Sequence, residues 1–297
     1  MRINKIKRGI GSRSFDMLNI ILMVTICFLA LYPIWYVLIH SFNDGNDAVM
    51  GGIYWLPREF SLENYRQVFR NNEIVNAFFV SVMRTLIATA FHVVFTGMVA
   101  YAFLNKKLIG RKLYMNMGIV TMFFSGGLIP SFILAKNLGL VDNFWVYVFP
   151  TMFNFFDLII FQSFFRTIPG ALEESAMIDG ANQFTIFFRV IMPLSKPVFA
   201  VILLFNGVYN WNDFFMGVFY IIKNSDLHPI QTYLYKMIVA SESSKVSMFS
   251  TGISQSAFTS TSLQMATMIV TTVPIVVIYP FLQKYFVKGM LLGSVKE

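Results

Sequence analysis

Residues 173–197, EESAMIDGANQFTIFFRVIMPLSKP, decide how the rest of this sequence is read. Acidic residues, a glycine and two prolines arrive together just after an apolar run ends. The preceding run finishes at RTIPG (166–170), where Pro169 disfavours helix in the residue before it and Gly170 permits a sharp turn. A short helix from Ala171 to about Gly180 then carries Glu173 and Glu174 in its first turn, where the helix dipole favours anions. Ala176 and Gly180 are four apart, so in that helix they share one face and leave it nearly flat for the approach of another backbone. Phe184, Phe187, Phe188 and Ile191 follow at helical spacing, with Arg189 and Lys196 suited to lipid headgroups, which predicts an interfacial helix. Pro193 and Pro197 mark the start of the next span. On these residues alone, an ordinary membrane-surface loop and a docking element both remain open.

The surroundings of this stretch are those of a membrane protein. Hydrophobic residues make up 56% of the 297 and charged ones only 13%. Six windows reach the roughly 20 residues that a spanning helix needs: 17–39, 76–104, 113–135, 143–165, 198–222 and 263–282. The second is charge-free from Thr85, the fourth contains only Asp157, the fifth contains only Asp213, and the sixth contains Pro274 and Pro280 as expected kinks. The first window is too long for a signal-peptide core and no A-x-A site follows it. The expectation is an all-α membrane protein with six transmembrane helices. With the N-terminus inside, the inner segments hold 15 Lys and Arg against 7 in the outer ones, which places both termini and residues 166–197 in the cytoplasm.

That asymmetry accounts for most of the net charge of +8, so the basic N-terminus argues for topology and against nucleic acid. Cys27 stands alone, and His40, His92 and His228 show no ligand spacing, so no metal site or catalytic group is expected. The sequence has no G-x-x-x-x-G-K-[ST] motif, so any ATP chemistry belongs to another polypeptide. Of the outer segments, 41–75 predicts a surface helix capped by Ser61. Residues 241–262, twelve of 22 being Ser or Thr, predict a solvated loop. Six spans are few for a self-contained carrier, which suggests half of a transmembrane unit.

Glu174, Ser175, Ala176 and Gly180, with Ile191 and Pro193 at the end, resemble the E-A-A-x-x-x-G-x(9)-I-x-L-P signature of binding-protein-dependent ABC importer permeases, especially the maltose-type sugar permeases. Ser175 stands where alanine is usual and Met192 where leucine is usual, both conservative in volume. The similarity runs from about residue 76 to the C-terminus. GGLIPSFILAKNLGLVDNFWVYVFP (126–150), NGVYNWNDFFMGVFYI (206–221) and YPFLQKYFVKGMLLGSVKE (279–297) also match, and resemble most the polysaccharide and complex-oligosaccharide branch.

The resemblance implies a type I ABC importer (MetI-like) fold in a bacterial cytoplasmic membrane. Residues 1–75 would hold the N-terminal segment, first helix and outer loop, 76–287 the permease core, and 288–297 a cytoplasmic tail that either reaches the ATPase dimer or is disordered. A coupling helix at 171–184 would seat in a groove of an ATPase subunit through Glu173, Glu174, Ser175, Ala176, Asp179, Gly180 and Ala181, with Pro193 closing the motif. The implied partners are a second homologous permease, two ATPase subunits that bind ATP and Mg, an external solute-binding protein and membrane lipid. This chain itself would hold no cofactor and be no enzyme.

Intramembrane polar residues are costly and are therefore candidates for the substrate pathway. Tyr209, Asn210, Trp211, Asn212 and Asp213 form the densest set, with hydrogen-bonding groups for sugar hydroxyls and an indole face for a pyranose ring. The alternative is that they bond between helices or anchor at the interface. Asn154 and Asp157 join the set, although an Asp157–Arg84 ion pair is an equal alternative. His92 is expected to hydrogen-bond between helices, and Ser125, Gly126 and Gly127 to line a cavity or pack closely. The branch suggests a complex oligosaccharide, acidic ones from pectin, alginate or a glycosaminoglycan included. Another small solute and a non-transporting sensor or scaffold are the rivals. A glycan-processing enzyme would need a carboxylate pair or nucleophile that has no supporting motif here.

Overall fold

The computed structural model describes the backbone of residues 10–251 and 258–294, and the side chains of 14–48, 50–243 and 261–280. Its elements are helices: α1 Ile10–Ser41, α2 Gly45–Val49, α3 Glu63–Arg70, α4 Asn72–Ala102, α5 Arg111–Phe123, α6 Leu128–Asn137, α7 Phe155–Phe165, α8 Gly170–Ile178, α9 Gln183–Ile186, a π-helical turn Phe187–Ile191, α10 Met192–Leu194, α11 Lys196–Asn212, α12 Phe215–Tyr220, α13 Ile230–Thr251 and α14 Phe258–Ser294. Of the expected tail, 295–297 lie outside the described residues, and 288–294 are described in backbone alone, as the end of α14.

Three spans are unbroken, Ser14–Ser41, Asn72–Ala102 and Thr261–Pro280, and three more arise only if bent pairs of helices are each counted as one. The windows at 113–135, 143–165 and 198–222 are each interrupted rather than continuous helix. The first breaks between α5 and α6 with a bend of 118°. Gly127 there takes φ +83°, and Pro130 could neither donate to a preceding carbonyl nor fit its ring against one were the helix continuous. In the second, Pro150 follows a 3-10 turn at Phe144–Tyr147, and helix resumes only at Phe155. In the third, Asp213 leaves helical geometry at ψ 118° and its carboxylate accepts from Phe215 N (3.1 Å) and Met216 N (3.4 Å), starting α12 afresh.

The chain divides into two compact units. One comprises 1–70 and 240–270. Its loop after α1 is tied rather than free. Buried Asn43 accepts from the amides of Arg58 (2.8 Å) and Glu59 (3.0 Å) and donates to Asp47 (2.9 Å), which also pairs with Arg58. Ser61 accepts from Glu63 N at 3.2 Å, as a cap of α3, while Asn64 turns inward to the carbonyls of Ser41 and Asn43. The Ser/Thr-rich stretch expected as a loop is helical to Thr251 and again from Phe258. Ser and Thr are only weak helix formers, and packing that buries Ser241 and Ser262 overrides the preference.

The other unit, 71–239 with 271–297, carries the candidate site. Its core joins α4, α7, the π-helical turn and α11 through Ala100, Phe161, Phe165, Phe187 and Ile202. Ile186, Phe187 and Ile191 are buried here, while Phe184 and Phe188 are exposed, so the segment expected to lie in the interface inserts one face into the bundle. Two glycines set helix approach. A Cβ on Gly118 would sit 1.9 Å from the Phe155 ring, and one on Gly217 would sit 2.1 Å from Thr232 Oγ1. At one end of the bundle, Asn76 donates to Asp226 O (2.7 Å) and Ser81 accepts from Ile230 N (2.8 Å). Nearby, Asp142 accepts from the amides of Ile222 (2.6 Å) and Lys223 (2.7 Å). These amide bonds, with the Lys223 charge, hold the Asp142 carboxyl below the usual carboxylate range.

Candidate coupling surface and transmembrane polar site

α8 leaves α7 at an angle of 83°. Its end is a Schellman motif: Gly180 N donates to Met177 O (3.0 Å), Ala181 N donates to Ala176 O (2.9 Å), and Gly180 takes φ +79°. This corrects the expected flat face, because Gly180 lies beyond the helix and ends it, and the helix stops at Ile178 short of Phe184. Asn182 then caps α9, accepting from Thr185 N at 2.8 Å. Ala176 and Ala181 pack against the bundle core, so their small size serves contact within this chain. Glu173 is half-buried, and the Tyr101 hydroxyl lies 2.7 Å from both its Oε1 and Gln183 Oε1. One hydroxyl proton serves one oxygen; it goes to the carboxylate, and both contacts are satisfied when the Gln183 amide presents its NH2. Glu174, Ser175 and Asp179 are exposed, alongside Leu172, Met177 and Ile178, the last 85% exposed. The surface is thus an apolar patch with an acidic fringe. Pro193 lies apart from it, at the start of α10.

Deeper in the bundle, α4 brings two charged groups to the interrupted helices. Arg84 is fully buried and pairs with Asp213, also donating to its carbonyl at 2.8 Å, and its guanidinium lies 4.5 Å above the Tyr147 ring. The expected alternative of an Arg84–Asp157 pair is therefore corrected. Asp157 instead meets His92, whose Nε2 is 2.8 Å from Oδ2 while Nδ1 is 2.7 Å from Thr151 O. A carbonyl only accepts, so Nδ1 carries a proton. A second proton then lies between Nε2 and Oδ2, and the pair is net neutral wherever along that line it sits. Both pairs thus avoid an isolated charge in the bilayer.

The set 209–213 divides between two faces. Trp211 donates its indole N–H to Thr271 O (3.0 Å) and packs edge-on against Phe78, and Asn210 donates to Asn206. Both are buried and Asp213 is committed to Arg84 and α12, so these three act within the bundle in this conformation. Tyr209 and Asn212 are exposed on the opposite face, and Asn154 is exposed while capping α7 by accepting from Phe156 N at 2.8 Å. A cavity of about 330 Å³ opens beside Trp211, bounded by Thr85 and Thr89 of α4, Gly207 of α11 and Pro274 of α14. Among the described residues no three His, Cys, Asp or Glu side chains are placed to hold a metal ion.

Residues 70–292 match the family of binding-protein-dependent transport system inner membrane components. The chain belongs to that family. Among its relatives, the polygalacturonan/rhamnogalacturonan transport system permease protein YtcP of Bacillus subtilis (strain 168) is 39% identical over 285 residues, 96% of this chain and 99% of the relative. Protein LplC of the same strain is 36% identical over 96% of each. A solved structure of a bacterial ABC transporter involved in the import of the acidic polysaccharide alginate superposes with a TM-score of 0.84 at 27% identity, covering 95% of this chain and 100% of that one. This permease therefore has the MetI-like fold and is a multi-pass component of the inner membrane, working with ATP-hydrolysing and solute-binding proteins. In this chain the Arg84–Asp213 and His92–Asp157 pairs lie at the interrupted helices, and α8 leaves α7 at an angle. Tyr101 and Gln183 stand out only in three dimensions, as do the partners of His92 and Arg84, since the paired residues lie between 65 and 129 positions apart in sequence.

Proposed function

We propose that this permease imports acidic oligosaccharides of the kind released from pectin, and that α8 receives the motion of a nucleotide-binding partner. The observation that carries the second part is the construction of α8: a short helix, projecting at 83°, ended by Gly180 and tied to α4 through Glu173 and Tyr101. Leu172, Met177 and Ile178 supply apolar area for a groove, and Glu174, Ser175 and Asp179 its polar rim. Glu173, Ala176 and Ala181 orient the helix from behind. The end bearing α8 faces the cytoplasm, in keeping with the 15-to-7 bias of Lys and Arg, and both termini lie on that side.

In this reading a second, homologous permease completes the pathway, and two ATPase subunits bind ATP and Mg. The chain transmits motion and performs no chemistry of its own. The acidic substrate rests on the polygalacturonan and alginate systems to which the chain is similar, and Tyr209, Asn212 and Asn154 are the pathway groups left accessible here; Asn210, Trp211, Asp213 and Asp157 act on them from within the bundle.

The test uses the complete transporter in proteoliposomes with its binding protein and oligogalacturonides. Ile178→Asp and Glu174→Lys are expected to lower binding-protein-stimulated ATPase activity at least fivefold and uptake in parallel. Stimulation at the wild-type level in both variants sinks the docking role, and absence of galacturonide uptake by the wild-type complex sinks the substrate assignment.

A further inference from the structure

The connection between α4 and α5 gathers four cations, Lys106, Lys107, Arg111 and Lys112, within residues 105–112. It follows the end of α4 at which Tyr101 meets Glu173, so it stands on the same side of the bundle as α8. Hydrogen bonds fix its shape. Leu104 N donates to Tyr101 O (2.9 Å), Leu108 N to Asn105 O (3.2 Å) and Arg111 N to Leu108 O (3.2 Å), while Asn105 Oδ1 accepts from Lys107 N at 2.9 Å. Arg111 Nε donates to Phe103 O at 2.7 Å, and its terminal nitrogens have no partner among the described residues. None of the four cations is in an ion pair with a described carboxylate.

Lys106, Arg111 and Lys112 converge on one open hollow of about 550 Å³, walled also by Leu108 and Leu113. From Leu113 an apolar track runs along α5. Leu113, Met117 and Val120 recur at helical spacing on one face, each more than half exposed, and the sequence carries no charge from Leu113 to Ala135. The three residues cover about 10 Å at the helical rise. Topology explains why cations lie at this membrane face, but not why three of them surround one hollow that shares Leu113 with an exposed apolar track. A phosphodiester headgroup with its acyl chains matches both halves: anionic oxygens for the unpaired cations, hydrocarbon for the track. A soluble anion would use the hollow alone.

We infer that this hollow binds one anionic phospholipid, its phosphate held by Lys106, Lys112 and the terminal nitrogens of Arg111, and one acyl chain laid along Leu113, Met117 and Val120. The inference stands whether or not the chain imports oligosaccharides.

Lys106 and Lys112 are exposed, so the combined Lys106→Gln, Lys112→Gln variant leaves the packing and the bond from Arg111 to Phe103 intact. A Lys136→Gln, Lys223→Gln variant removes the same charge from other exposed positions. The measurement is native mass spectrometry of the complete transporter in a neutral detergent, titrated with dioleoylphosphatidylglycerol or dioleoylphosphatidylcholine. Wild type is expected to retain phosphatidylglycerol in preference to phosphatidylcholine. A basic residue beside anionic lipid contributes about fivefold, so the first variant should weaken phosphatidylglycerol retention about tenfold or more and the second by less than about twofold. Phosphatidylcholine retention should be the same in all three proteins. Equal weakening in the two variants shows general charge attraction and overturns the site. Unchanged retention in the first variant also overturns it, and shedding of the ATPase subunits by that variant would then assign the cations to an acidic surface of that partner. Inorganic phosphate that binds wild type as tightly as phosphatidylglycerol overturns the lipid assignment, since the apolar track would then add nothing.

Discussion

The Arg84–Asp213 pair offers the sharpest test of how this bundle tolerates charge. Arg84 is fully buried, and the Asp213 side chain is 10% exposed. Asp213→Asn preserves the cap on α12, because an asparagine oxygen can accept from Phe215 N and Met216 N as the carboxylate does. What it removes is the negative charge opposite a buried guanidinium. Breaking a buried pair in this way costs about 3–5 kcal/mol, because the remaining ion stays desolvated. The Tyr147 ring beneath Arg84 is present in wild type and variant alike, so it does not enter the difference and a loss of about 3–5 kcal/mol is expected. Arg84→Met alone leaves Asp213 with its two amide donors and some solvent access, and should cost less. The combined Arg84→Met, Asp213→Asn variant contains no uncompensated charge and should return to within about 1 kcal/mol of wild type. Denaturant unfolding in mixed micelles, followed by the fluorescence of the four tryptophans, measures all corners of the cycle. Additive losses in the double variant, or a single Asp213→Asn within about 0.5 kcal/mol of wild type, would refute the ion-pair reasoning.

Three further outcomes follow from the same packing. His92→Ala leaves the Asp157 carboxyl without its partner inside the bundle and should cost about 3–5 kcal/mol, whereas Asp157→Asn, which can hydrogen-bond a neutral imidazole, should cost less than half of that in the same unfolding assay. Gly118→Ala places a methyl group in the Phe155 ring and should destabilise by about 1–3 kcal/mol, with Phe155→Leu recovering part of the loss in the double variant as read by heat-resistant monodisperse protein. Asp142 has a depressed folded-state pKa, so its contribution is complete above the unfolded value of about 3.9 and disappears as pH falls through the lower folded value. Asp142→Ala should therefore be less stable than wild type at pH 7, with the difference closing below about pH 4; a gap that is constant across that window would contradict the assignment.

Much of the fold is legible in the sequence because a bilayer demands length and apolarity, and both can be counted. The count fails where helices break, since it registers composition and not continuity. Gly126, Gly127 and Pro130 carried the signal for the first break, and Pro150 for the second, but inside an apolar window each also passes as a tolerated kink. The third break depends on Asp213, whose role as a cap is visible only once its carboxylate is seen to bond forward to α12. Arg84 posed a harder problem. Asp157 and Asp213 both sit in spans, and hydropathy holds no information on which of them faces α4.

The coupling stretch shows how one residue pattern supports two local structures. Ala176 and Gly180 share a face if the helix continues, whereas Gly180 ends the helix if it adopts a left-handed conformation. The sequence D-G-A-N favours the second, as glycine is the common residue just beyond a helix end and Asn182 can start the next helix. The consequence is mechanical. With α8 ended and turned back, Glu173 reaches Tyr101 near the end of α4, the same helix that carries His92 and Arg84. From Tyr101 to Arg84 is 17 residues, or about 26 Å at the helical rise. Over that length α4 is a single unbroken helix whose polar attachments include α8, the start of α7 through Asp157, and the junction of α11 and α12 through Asp213. A displacement of α8 that preserves its bond to Tyr101 must move α4 or bend it, and moving α4 loads both helix junctions at once. In the proposed function this bond is one link between α8 and the helix breaks. Tyr101→Phe, which removes the hydroxyl and leaves the ring against Phe187, should loosen that link while leaving the core packed.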